Sequence, residues 1–140
     1  MDAMKPNILV VDDASNWRIT VETLLKSYGY QVTVAANVIE ASEALNHGPF
    51  AAAILDVRLD AFDDNNHEGV SMILASAHQS YPQMSFIILS SYFSEAEVRS
   101  FAPRDAELYY FDKNNLSVEL LLNTLNLLVK RNFGREQSQN

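Results

Sequence analysis

Ile8-Leu9-Val10-Val11-Asp12-Asp13 is the stretch on which the reading of this chain turns. An unbroken apolar run, rich in β-branched side chains, stops abruptly at paired acids. A strand with one wet face alternates apolar and polar residues. A run without alternation belongs instead to a strand covered on both faces, as in a parallel sheet. The acids then mark that strand's C-terminal end.

Outward from it the same grammar repeats. Trp17, Val21, Leu24, Leu25 and Tyr28 recur at helical spacing, with Ser15 expected as N-cap and Gly29 as the stop. Val32 and Val34 mark a second strand, and Val38, Ala41, Ser42 and Leu45 a second helix that Gly48-Pro49 closes. Residues 51–55 form a third apolar strand that ends at Asp56. Val70, Ile73, Leu74 and Ala77 follow on a third helix, and residues 86–89 give a fourth strand ending at Ser90-Ser91. A short helix over 95–101 leads to a fifth strand, 108–111, which ends at Asp112-Lys113. Val118, Leu121, Leu122, Leu125, Leu128 and Val129 then lie along a strongly amphipathic helix. Strands and helices alternating in this way predict an α/β fold: a doubly wound, flavodoxin-like sheet of five parallel strands in the order 2-1-3-4-5, with helices on both faces. One domain is expected over residues 1–131, followed by a polar tail over 132–140.

Composition narrows the function. The chain has 140 residues, 48% of them apolar, no cysteine and a formal net charge of −8. Disulfide scaffolds and thiolate metal sites are excluded. Tight binding to nucleic acid or to an anionic membrane is disfavoured, because neutralising phosphates needs clustered Lys and Arg. The longest apolar run, residues 50–55, falls far short of the ~20 residues of a membrane span, and the first residues carry no apolar signal region. A cytoplasmic location, with no membrane contact, is expected.

In a parallel sheet the strand C-termini share one edge, where ligands bind. Strand one ends in Asp12 and Asp13, strand three in Asp56, strand four in Ser90 and strand five in Lys113. Convergent carboxylates repel one another unless a cation intervenes. An oxygen-only, carboxylate-rich site suits a hard divalent ion such as Mg²⁺. Lysine adds a compact positive charge, and serine a hydroxyl, toward the same oxygens. Together these groups suit holding a phosphoryl group on a carboxylate, a recognised covalent intermediate.

Four pieces in order (Ile8 to Asp13; Ile54-Leu55-Asp56; Ile87-Ile88-Leu89-Ser90-Ser91; Tyr110-Phe111-Asp112-Lys113) resemble the receiver domain of two-component response regulators. The resemblance spans nearly the whole chain, and it implies roles. Asp56 is the expected phosphoacceptor, fed by a phosphohistidine on a histidine kinase or phosphotransfer protein. Asp12, Asp13, Asp56 and the backbone carbonyl of Arg58 are the expected Mg²⁺ ligands. Lys113 and Ser90 are expected to contact the phosphoryl group, and Ser90 and Tyr110 to act as the switch that alters contacts with a downstream output protein. Self-catalysed transfer and slow self-hydrolysis are implied, with no turnover of an independent substrate and no direct contact with nucleic acid.

The chain also departs from the family pattern. Its segment between Asp56 and Gly69 is longer than usual and acidic (Asp60, Asp63, Asp64 and Glu68), and Asp60 stands where a proline is common. Asn114 replaces the proline that usually follows Lys113 with a cis bond, which argues against one here. Pro103 cuts the fourth helix short, and a slightly long segment before Lys113 leaves Tyr109 as a rival to Tyr110. Simpler readings stand beside these. Asp12 and Asp13 can serve as a helix-capping pair, Lys113 as a solvated strand-end charge and the acidic loop as solvated surface. Trp17 reads as packing beside the site, and His47, His67 and His78 as surface residues. Two further readings compete with the phosphorylated receiver: a receiver-like docking module that is never phosphorylated, and a metal-dependent phosphohydrolase. The second lacks a general acid/base at a matching strand end.

Overall fold

The computed structural model describes residues 6–56, 68–91 and 93–138. Its elements are β1 (Asn7–Val11), α1 (Ser15–Ser27), β2 (Gln31–Ala35), α2 (Val38–Leu45), β3 (Ala52–Asp56), α3 (Glu68–Ser80), β4 (Ser85–Ser90), α4 (Glu95–Phe101), β5 (Glu107–Asp112), a 3-10 turn (Lys113–Asn115) and α5 (Val118–Ser138). The strands pair in parallel in the order β2-β1-β3-β4-β5, as the alternation of elements predicts.

The two-residue period of a strand sorts the core into two layers. Leu9, Val11, Ala53, Leu55, Phe86 and Ile88 face one way and pack with Leu45 of α2, Ile73 and Leu74 of α3 and Val98 of α4. Their neighbours Ile8, Val10, Ala52, Ile54, Ile87 and Leu89 face the other way, against Val21 and Leu25 of α1 and Leu121, Leu125 and Leu128 of α5. Every residue of β3 and β4 is buried. The apolar runs lack alternation for that reason: a helix layer covers each face.

Local signals set most element ends. Gly29 adopts φ +93°, a left-handed conformation that closes α1 without the Cβ penalty other residues incur. Asn37 caps α2 by accepting from the Glu40 amide at 2.9 Å. The seven-residue α4 is held by a capping box between Ser94 and Glu97. Of three further ends, two differ from expectation. The N-cap of α1 is Ala14, not Ser15, because the Asp12 carboxylate reaches forward to accept the Ala14 amide at 2.8 Å and closes the turn itself. From Lys113 the chain forms the 3-10 turn, with Asp112 accepting from the Asn114 amide at 2.9 Å; as Asn114 leads one to expect, the bond after Lys113 is not cis, and the cis bond among the described residues is Gly48–Pro49. The helix α5 runs beyond Arg131 to Ser138, so the segment read as a polar tail is helical that far. No helix among the described residues is long and apolar enough to cross a membrane.

Candidate functional site

Sheet register builds the site. β1 and β3 pair Val11 with Leu55, so the next residues, Asp12 and Asp56, leave the sheet side by side. β3 and β4 pair Asp56 with Leu89, and β4 and β5 pair Ser90 with Asp112, which sets Ser90 and Lys113 at the same edge. Asp12 and Asp56 are buried, as is Ser90, whereas Asp13 is exposed. Oxygens of Asp12, Asp13 and Asp56 lie within 4.8 Å of one another.

Lys113 bridges two of these acids across 101 and 57 residues of sequence: its Nζ donates to Asp12 Oδ2 and to Asp56 Oδ2, both at 3.1 Å. Burial by itself pulls the ammonium toward neutrality, but Asp56 and then Asp12 outweigh it, so its pKa lies above the ordinary lysine value. The lysine is thus a permanent cation wedged between buried carboxylates. Three hard oxygen groups, one of them facing solvent, fit a divalent cation such as Mg²⁺, which keeps several waters beside a few carboxylates. The first turn of α1 is tied to the same place, since Arg18 donates to the Asp12 carbonyl at 2.8 Å.

On the other side of the edge, Ser90 and Tyr110 grip a single residue. Ser90 Oγ accepts the Phe93 amide at 2.8 Å, and the Tyr110 hydroxyl donates to the Phe93 carbonyl at 2.6 Å. Burial, reinforced by Asp112, raises the Tyr110 pKa, which keeps its donor proton in place. Tyr109 points away from this arrangement. Its hydroxyl donates to Glu107, which also takes an ion pair from Arg131 of α5, and Arg131 reaches the buried Ser85 hydroxyl at 3.3 Å.

The structure therefore brings Asp12, Asp13, Asp56 and Lys113 together, and sets Ser90 and Tyr110 beside them around Phe93. Arg58 and the acidic residues Asp60, Asp63 and Asp64, with His67, lie outside the described residues. Of two further residues at this edge, one carries no signal in the sequence and the other only part of one. Phe93 acts through its backbone, which no side-chain pattern announces. Trp17, which the sequence places as packing beside the site, does pack on the α1 and α5 core; what its place one helical turn past Asp13 does not give is the ring centroid lying 5.3 Å from Lys113 Nζ.

The sequence model of the response regulator receiver domain matches residues 8–123. An NtrX-like response regulator of Rickettsia bellii is 34% identical over 86 residues, 61% of this chain but 17% of that protein's length. The chain therefore spans a minor part of the curated relatives it matches. Among solved structures, a CheY-like response regulator receiver domain protein of Methanospirillum hungatei aligns at a TM-score of 0.80, covering 94% of this chain and 99% of that one at 24% identity. The response regulator TrrA of Thermotoga maritima, in complex with Mg²⁺-BeF, aligns at a TM-score of 0.68, covering 89% of this chain and 99% of that one at 24% identity.

Proposed function

Since this chain belongs to the response regulator receiver domain family, we propose that Asp56 is the residue that accepts a phosphoryl group, from a phosphohistidine on a histidine kinase or phosphotransfer protein. The observation that carries this reading is the Lys113 ammonium placed 3.1 Å from both Asp12 Oδ2 and Asp56 Oδ2, with Asp13 alongside. In the transfer, an Asp56 carboxylate oxygen forms a bond to phosphorus while the phosphorus–nitrogen bond to the donor imidazole breaks. The electron pair stays on the imidazole nitrogen, which takes up a proton. Such a transfer needs mainly positioning and charge stabilisation. Lys113 supplies a fixed positive charge at the acceptor, within reach of the phosphoryl oxygens.

Asp12, Asp13 and Asp56, with the Arg58 carbonyl, are the groups we assign to Mg²⁺, in keeping with the Mg²⁺-BeF complex of the Thermotoga relative. The cation, when bound, neutralises charge on the phosphoryl oxygens. Ser90 then reorients toward those oxygens and gives up the Phe93 amide. Tyr110, sharing Phe93, moves with it. The face formed by α4, β5 and α5 thereby changes its preference for an output partner, by as much as the phosphoryl group interacts differently with the two arrangements.

The test is an intact mass after incubation with Mg²⁺ and acetyl phosphate. The wild type should gain one phosphoryl group and Asp56→Asn none. A wild type that stays unmodified, with acetyl phosphate and with a phosphohistidine donor alike, sinks the proposal in favour of a docking module. Sustained turnover of a phosphate ester points to a hydrolase instead.

A further inference from the structure

Trp17 is the one tryptophan of the chain, and it stands in the first turn of α1 just past the paired acids. It is partly buried against the core that α1 and α5 share, and its ring centroid is 5.3 Å from Lys113 Nζ. That distance is inside the roughly 6 Å over which an aromatic face attracts a cation, and partial desolvation strengthens the attraction. Two bonds tie the first turn of α1, which carries the ring, to Asp12. The Ala14 amide donates to Asp12 Oδ1 at 2.8 Å and Arg18 donates to the Asp12 carbonyl at 2.8 Å, locking the start of α1 onto the end of β1.

The ammonium has three N–H donors. Asp12 and Asp56 each take a bond from it, and the indole face flanks it as well. Lys113 itself stands on a long stem in the 3-10 turn, with its side chain still 19% exposed. Without the ring, that stem has a route to solvent.

We propose that Trp17 is a positioning residue for phosphoryl transfer, whose indole face holds the Lys113 ammonium over Asp56. This role rests on the receiver reading above. In this role Trp17 acts through Lys113. The ring's contribution is orientation, and orientation is what such a transfer depends on.

The experiment uses the full chain with Trp17→Phe and Trp17→Leu. Both replacements are apolar and fill much of the same space, but only phenylalanine keeps a face for the cation. With acetyl phosphate and Mg²⁺, adduct formation should slow about fivefold in Trp17→Leu, with Trp17→Phe in between. Mg²⁺ affinity, read by calorimetry, should not fall, because the carboxylates are untouched and a looser Lys113 competes less with the cation for them. A second readout needs no phosphodonor: Lys113→Met should change the intensity of tryptophan emission, which comes from Trp17 alone. Trp17→Leu phosphorylated at the wild-type rate overturns the proposal, as does emission indifferent to Lys113→Met. Rates that follow the thermal midpoints of the variants, and not the presence of a ring, overturn it too. A wild type that takes no phosphoryl group fails the receiver reading itself, and this role falls with it.

Discussion

Tyr110 donates a 2.6 Å hydrogen bond to the carbonyl of Phe93, whose amide is already bound to Ser90 Oγ at 2.8 Å. One peptide residue is thus held from both ends, by a side chain at the sheet edge and by one from β5. Movement of either grip changes the other's partner. This shared residue links Ser90 at the sheet edge to Tyr110 of β5.

Removing one grip should loosen the loop and leave the chemistry. Tyr110→Phe keeps the ring packed and deletes the bond to Phe93, at a cost of about 1 kcal/mol. Denaturant unfolding should show that loss, while the rate of phosphorylation by acetyl phosphate stays within about twofold of wild type, because Lys113 and the carboxylates are unchanged. A large fall in that rate means Tyr110 contributes to the transfer itself.

Lys113→Met should be costly to stability. It leaves Asp12 and Asp56 buried without their shared cation, and breaking a buried pair from one side costs about 3 kcal/mol. The same variant should gain more from Mg²⁺ than wild type, because the added cation relieves a repulsion that Lys113 otherwise relieves. Thermal midpoints with and without Mg²⁺ check this. Equal Mg²⁺-induced shifts in the two proteins argue that cation and lysine act on different carboxylates.

Asp13 is the exposed member of the acidic group. Asp13→Asn removes one negative charge from the site with little effect on the core. Mg²⁺ affinity measured by calorimetry should drop about tenfold, since affinity follows ligand charge. A chelator should return wild type to its metal-free thermal midpoint and leave the variant nearly unmoved. Unaltered affinity places the cation elsewhere.

Far from the acceptor, Glu107 gives a pH dependence with a definite sign. Burial opposes its ionisation, but hydrogen bonds from Arg131 and Tyr109 outweigh burial and hold its pKa below the ordinary glutamate value. A carboxylate with a depressed pKa contributes stability above its unfolded pKa, about 4.3, and loses it as pH falls through the lower folded value. Glu107→Gln should therefore lower the thermal midpoint at neutral pH, by the equivalent of under about 1 kcal/mol because the pair is partly exposed. The gap between variant and wild type should narrow as pH drops below about 4. A gap that is constant with pH assigns Glu107 a packing role only.

What the sequence determined by itself was the frame. Unbroken apolar runs such as residues 8–11 point to helix layers on both faces of a sheet, and the alternation of elements then leaves few strand orders, of which 2-1-3-4-5 is the usual one. Because each run stops at an acid, a serine or a lysine, the residues at the sheet edge were legible as well. Tertiary structure decided what those residues do to one another. Tyr109 and Tyr110 are chemically identical neighbours, and either suits a switch by composition. Only the pleat, which sends successive side chains to opposite faces, places Tyr110 at Phe93 and Tyr109 at Glu107 and Arg131. The Lys113 bridge and the Trp17 ring over it depend on contacts between chain segments remote in sequence. Spacing along a chain encodes periodicity, and so faces; it carries no distance between side chains that meet only after the sheet has formed.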